Sequence, residues 1–333
     1  MKRVLLSHGG GGEDTWRLIK EVFLRHLSNE YLNKLEDAAL LEVDSKIAFT
    51  TDSFTVNPIF FKGGNIGKLA VAGTVNDLSV MGAKPIYMSL GFIIEEGFPY
   101  EELESIVISM KEEAQKSGVL VVAGDTKVVP RGNVDGLFIS ASGIGKVLYE
   151  GISCSNVKAG DVIIVSGGIG EHGACILAQR EGIQMDVELE SDCRSLWDLI
   201  EKIIKSGVEI HAMRDPTRGG LSAVLYEWAI SSRVSFLIDE ENIPIKEPVV
   251  GLCELLGLEP YHLACEGRVV IALPEKDAEK VLNVIRNHPD GEDARIIGKA
   301  IPVEGSPKVI LRTFYGTHRV LDPPAGELLP RIC

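Results

Sequence analysis

Residues 65–82 read NIGKLAVAGTVNDLSVMG, and this segment most narrows how the chain can fold. Small and apolar residues fill it almost without a break, so it is expected to form a tightly packed helix. Asp77 stands in the middle, among Ala70, Val71, Ala72, Val75, Leu78, Val80 and Met81. A carboxylate buried without a partner costs several kcal/mol. Either the fold turns Asp77 to solvent, or it supplies a partner or a metal.

The rest of the 333-residue chain mixes strands and helices. In the first half the pattern predicts an amphipathic helix at 13–27, strands at 38–43, 46–51, 84–94, 119–123 and 135–148, and a helix at 99–117 opened by Pro99 and closed by Gly118. The polar stretch 149–160 reads as a boundary. Beyond it the spacing predicts strands at 161–166, 234–238, 267–273 and 308–313 and helices at 171–181, 194–206, 219–231 and 274–287. The fold class is therefore α/β or α+β. Two domains are expected, 1–150 and 151–319, followed by a tail at 320–333. That tail, VLDPPAGELLPRIC, carries three prolines and a glycine, which oppose both helix and sheet interior. It reads as a disordered end or as an arm that carries its last residue to a site.

Several acids lie beside glycine-rich turns. Asp52 follows an apolar strand, Asn76 and Asp77 lie in the small-residue helix, and Asp125, Thr126 and Lys127 end another apolar strand. Asp215 and Arg218, with Gly219 and Gly220, precede a helix, where they could cap it or meet phosphate. Gly10, Gly11 and Gly12 also precede a helix, and they read equally as a loop or as cover for an anion. Together Asp52, Asp77, Asp125 and Asp215 are four hard oxygen ligands of the kind that hold magnesium against a triphosphate.

A formal net charge of −14 argues against nucleic acid as a partner. No run of apolar residues is long enough for a membrane span, the start lacks a signal peptide, and cytoplasm is the expected location. The six cysteines form no CxxC pair, so neither a disulfide framework nor a zinc site is expected. Gly168–Gly173 matches GxGxxG after a strand, with acids about 20 residues on, and leaves nicotinamide binding as an alternative. Cys333, the last residue of the sequence, places a soft nucleophile at the end of the proline-rich arm, a fitting carrier for a covalently attached group.

TDSFTVNPIFFKGGNIGKLAVAGTVNDLSVMGAKP, AGDTKVV, DPTRGGL, ACEG and the terminal PRIC, in this order, resemble the HypE hydrogenase maturation proteins. These belong to the wider superfamily of aminoimidazole ribonucleotide synthetase. The resemblance implies a two-domain synthetase-like fold, whose N-terminal domain dimerises through a shared β-barrel, with a flexible C-terminal tail. It implies ATP and Mg2+ as cofactors. It also implies dehydration of a carboxamide on Cys333 to a thiocyanate that supplies the cyanide ligand of iron in [NiFe]-hydrogenase. The implied partners are the carbamoyltransferase HypF and the HypC–HypD complex. By the same resemblance Asp52, Asp77, Asp215 and Asp125 are metal ligands, and Lys127 and Glu266 contact phosphate and remove the amide proton. His211 is a helper. A scaffold that binds nucleotide and presents its tail without chemistry remains the other reading.

Overall fold

The computed structural model describes residues 3–5, 17–34, 44–184, 186–322 and 331–333. The strand expected at 38–43 and the glycines Gly10, Gly11 and Gly12 lie outside the described residues.

The small-residue segment forms helix α1, Ile66–Val80. Asn65 caps it, its side chain accepting from the N–H groups of Gly67 and Lys68 at 2.9 and 3.1 Å. Except for Lys68 and Asp77, every residue of α1 is buried, as expected of a helix apolar on all sides. Gly67 makes this possible, because a Cβ there would lie 2.5 Å from the Ile106 carbonyl oxygen of the neighbouring helix α2, Tyr100–Ser117.

One face of α1 lies on a four-stranded sheet. Its strands are β1 (Ile47–Phe54), β4 (Ala83–Glu95), β5 (Leu120–Val129) and β6 (Leu137–Val147), in the order β1-β6-β4-β5. A two-residue hairpin, β2 (Phe60–Phe61) with β3 (Gly64–Asn65), leads into α1. Only β4 and β5 run parallel, joined by the crossover helix α2. Within the predicted helix 13–27, the described part is a π-helical turn, Ile19–Leu24, continuing into Arg25–Leu27.

The second half builds a seven-stranded sheet from β7 (Asp161–Val165), β8 (Ala212–Arg214), β9 (Ser235–Asp239), β10 (Val270–Pro274), β11 (Arg295–Ile301), β12 (Val309–Arg312) and β13 (His318–Val320). Their order is β13-β12-β9-β11-β7-β10-β8, and only β9 and β12 are parallel. Around it lie α3 (Glu171–Arg180), α4 (Trp197–Lys205), α5 (Gly220–Ser232), α6 (Glu247–Leu256) and α7 (Glu275–Arg286). The sequence pattern misses β8 and β13, which are three residues each, and β11, where a bulge between Ile296 and Gly298 interrupts the alternation. It also misses α6.

The two halves share one apolar core. It runs from Phe54, Leu69 and Val71 in the first half to Trp197, Ile200 and Ile271 in the second, and it includes Ile332 of the tail. The last three residues, expected as the end of a flexible arm, are docked: Thr55 N–H donates to the Cys333 carbonyl oxygen at 2.9 Å and Asn57 N–H to that of Arg331 at 3.2 Å.

Gly67→Ala should destabilise the protein by about 1–3 kcal/mol, because overpacking outweighs the ~1 kcal/mol of helix propensity that alanine gains. Denaturant unfolding of the variant beside wild type measures this.

Candidate active site

Strand alternation brings the first acids together. Thr50, Asp52 and Phe54 point from β1 toward α1. Thr50 Oγ1 donates to Asp77 Oδ2 at 2.6 Å, and Asp77 is hydrogen-bonded to Asp52. Two carboxyl groups can share that bond only through a proton. Burial, followed by repulsion from Asp77, pushes Asp52 up to about 6, with Arg218 opposing. Asp215, just after β8, closes the cluster from the second half. Burial and then Asp77 push it up to about 7.

Glu266 forms the floor, at 1% exposure. Its Oε1 has no hydrogen-bond partner among the described residues. Burial first, then Asp215, Asp192, Asp52 and Asp77, raise its pKa well above the carboxylate range. Its main chain is held firmly. Asp192 accepts from the Glu266 and Gly267 N–H groups, each at 3.1 Å, and Asn76 Nδ2 donates to the Glu266 carbonyl at 3.2 Å. Cys333 lines the same recess, with Thr217, Arg218, Gly73 and Phe54. The Arg218 guanidinium faces the Cys333 thiol across the recess and lies 3.8 Å from Asp52 Oδ1. Burial, with Glu266 as the second cause, still pushes the Cys333 thiol up to about 12. Gly73 keeps the wall open, since a Cβ there would meet the Phe54 ring at 3.1 Å and Glu266 Oε2 at 3.9 Å. About 20 Å³ remains beside the thiol, the scale of one small group.

The structure thus gathers Asp52, Asp77, Asp215, Arg218, Glu266 and Cys333, and leaves other expected residues elsewhere. Asp125 pairs with Gly91 and, through it, with Ser140 and Ser53, one residue out of step with Asp52 and Ala141. It therefore points to the opposite face of the sheet from Asp52, as does Lys127, and β5 lies three strands away, about 14 Å. Thr126 lies on the same edge strand. In one chain, then, Asp125, Thr126 and Lys127 do not join the acidic cluster. Asn76, expected to meet the cofactor, instead braces the seam: Oδ1 accepts from Leu196 N–H at 2.7 Å, and Nδ2 donates to the Arg194 and Glu266 carbonyls. His211 is bound to Asp161 and Glu209, at 2.7 and 3.0 Å, outside the recess.

The GxGxxG alternative fails on geometry. Strand β7 is flanked by antiparallel β10 and β11, where a dinucleotide unit requires parallel neighbours. The space over Gly168 is filled by the Glu171 carboxylate, which Arg268 and Lys246 hold at 3.0 and 2.8 Å. Sequence reasoning missed Asp192, whose role depends on packing between distant segments.

Among the described residues, no group of three or more His, Cys, Asp or Glu is close enough together to cage a metal. Three aspartates facing one space are nonetheless the donor type that suits a hard divalent cation.

Comparison with known proteins fits this geometry. Models of the AIR synthase related proteins match in both domains, the N-terminal one over residues 35–147 and the C-terminal one over 158–309. The carbamoyl dehydratase HypE of Escherichia coli (strain K12) is 44% identical over the full length of both chains. The chain belongs to the HypE family. A crystal structure of hydrogenase maturation protein HypE in complex with ATP superimposes with a TM-score of 0.96 at 45% identity, covering 99% of each chain. The HypE of a HypE–HypF complex superimposes with a TM-score of 0.80 at 51% identity, covering 92% of this chain and 99% of that one. Among the described residues, no helix is long and apolar enough to cross a membrane.

The raised carboxyls make stability depend on pH. Asp52 and Asp215 each contribute stability in acid, below their unfolded values, and lose it as pH rises through about 6 and about 7. Without nucleotide or divalent cation, Asp215→Asn should therefore lose less thermal stability than wild type between pH 5 and 8, read by calorimetry at stepped pH.

Proposed function

We propose that this protein is an ATP-dependent carbamoyl dehydratase that converts an S-carboxamide on Cys333 to a thiocyanate, the source of the cyanide ligand of iron in [NiFe]-hydrogenase maturation. The observation that carries this reading is the docked Cys333, which lines one recess with Arg218, Glu266 and three aspartates.

The overall change is R–S–C(=O)NH2 + ATP → R–S–C≡N + ADP + phosphate. ATP with Mg2+ supplies the phosphoryl group that turns the amide oxygen into a leaving group, and the metal spreads charge during its transfer. Asp52, Asp77 and Asp215 are the residues that would hold the magnesium. Burial first, and the neighbouring aspartates second, raise the Glu266 carboxyl, and a cation held by those aspartates would offset the second cause. Once ionised, Glu266 takes the proton from the amide nitrogen as the carbon–oxygen bond breaks and the triple bond forms. Its buried position makes it a stronger base than a surface carboxylate. Arg218 fixes the sulfur without consuming it. Gly73 leaves space for the one-carbon group and little more.

The docked thiol, at about 12, is protonated at neutral pH and makes a poor nucleophile. Its carbamoylation by HypF therefore belongs to a tail that has left the recess, and so does cyanide delivery to HypC–HypD. The outer face of the four-stranded sheet exposes Phe49, Ile93 and Leu120 at 66, 40 and 42%. We assign it to a homodimer closed as a shared barrel. Asp125 and Lys127 share this face, so any part they take, including phosphate contact by Lys127, lies at the subunit interface. The glycine loop at 9–12 is assigned to nucleotide cover.

Carbamoylated protein given ATP and magnesium should lose the mass of one water from its C-terminal peptide, read by mass spectrometry. Glu266→Gln should bind ATP as wild type does and dehydrate about 10²-fold or more slowly. Wild-type rates in this variant would favour a scaffold that leaves the chemistry to another protein.

A further inference from the structure

The segment Gly168–Gly173 has no part in the chemistry above, yet its His172 is fully buried and touches the tail. His172 Nε2 lies 2.8 Å from the Ile332 carbonyl oxygen, and Nδ1 lies 2.7 Å from Ser191 Oγ. A carbonyl only accepts, so Nε2 carries the hydrogen. Burial lowers the histidine pKa and keeps the ring neutral, which leaves Nδ1 to accept from the Ser191 hydroxyl. Ser191 Oγ in turn accepts from Cys193 N–H at 3.0 Å, and the Phe61 ring stands edge-on to the imidazole at 5.4 Å. Both ring nitrogens are thus committed, and the ring orientation is fixed.

The other end of α3 makes a parallel contact. Arg180 Nη2 donates to the Arg331 carbonyl at 2.9 Å and to the Asn57 carbonyl at 2.7 Å, and Nε donates to Asn57 at 3.0 Å. Asn57 itself donates its N–H to the Arg331 carbonyl. One guanidinium therefore joins the tail to the strand exit on which the tail lies. All these bonds go to main-chain carbonyls, so α3 reads the path of the tail and not its side chains.

We infer that His172 and Arg180 are positioning residues of the dehydration: by holding the carbonyls of Ile332 and Arg331, they set how deeply Cys333 enters the acidic recess. This rests on the dehydratase reading. A carboxamide on the sulfur reacts only when its nitrogen is within hydrogen-bond reach of Glu266, and a shift of an ångström at the anchor carries directly to that atom.

The test uses the full-length protein and two readouts. Alkylation of Cys333 by iodoacetamide is followed by peptide mass spectrometry, with exposed Cys154 as the internal reference. Single-turnover dehydration of the carbamoylated protein is measured at saturating ATP. Arg180→Ala and His172→Ala should alkylate Cys333 several-fold faster with Cys154 unchanged, dehydrate about tenfold or more slowly, and bind ATP as wild type does. His172→Gln, whose amide can donate to the same carbonyl, should recover most of both. Arg180 lies half-buried at the end of α3, so its variant keeps the test decisive if the His172 variants fail to fold. Unchanged Cys333 alkylation in Arg180→Ala would overturn the inference, as would faster alkylation with an unchanged dehydration rate. If wild type never loses water from its carbamoylated tail while the alkylation contrast holds, the dehydratase reading fails and the anchor stands.

Discussion

Four carboxylic acids face one another across the seam between the two halves, with a single guanidinium among them. Burial first, and the charge of their neighbours second, raise the carboxyls of Asp52, Asp215 and Glu266 above the usual range. The rest of the structure keeps this crowd together. Helix α1 is buried except at Lys68 in its first turn and at Asp77, which it presents to the recess. Asp192 and Asn76 fix the Glu266 main chain, and the continuous core prevents the halves from separating to relieve the repulsion.

Much of this was legible in the sequence. The isolation of Asp77 among apolar residues called for a partner, and the partner exists. The motifs around Asp52, Asp215 and Glu266, and the terminal cysteine, pointed to residues that the fold places in one recess. Asp125 shows where such reading stops. Its strand resembles that of Asp52, but the side on which a strand residue emerges depends on cross-strand register, and register is a property of pairing between distant segments. Asn76 makes contacts that the sequence does not show. An amide beside an acid reads as a ligand until the main-chain groups that occupy it are known.

The Gly168–Gly173 segment illustrates a second limit. Its spacing matches a nucleotide loop, while its surroundings are antiparallel strands and a buried Arg268–Glu171 pair. Local pattern described the turn correctly and its use incorrectly. Similarly, the composition of the tail predicted a flexible arm, whereas the contacts of Arg331, Ile332 and Cys333 show its last residues docked.

Ile332 belongs to the same apolar core as Trp197 and Leu69, although it lies one residue from the end of the sequence. Withdrawing the tail therefore takes a plug from the interior and wets the joint it filled. A partner that drew the sulfur outward would compete with the hydrophobic effect itself.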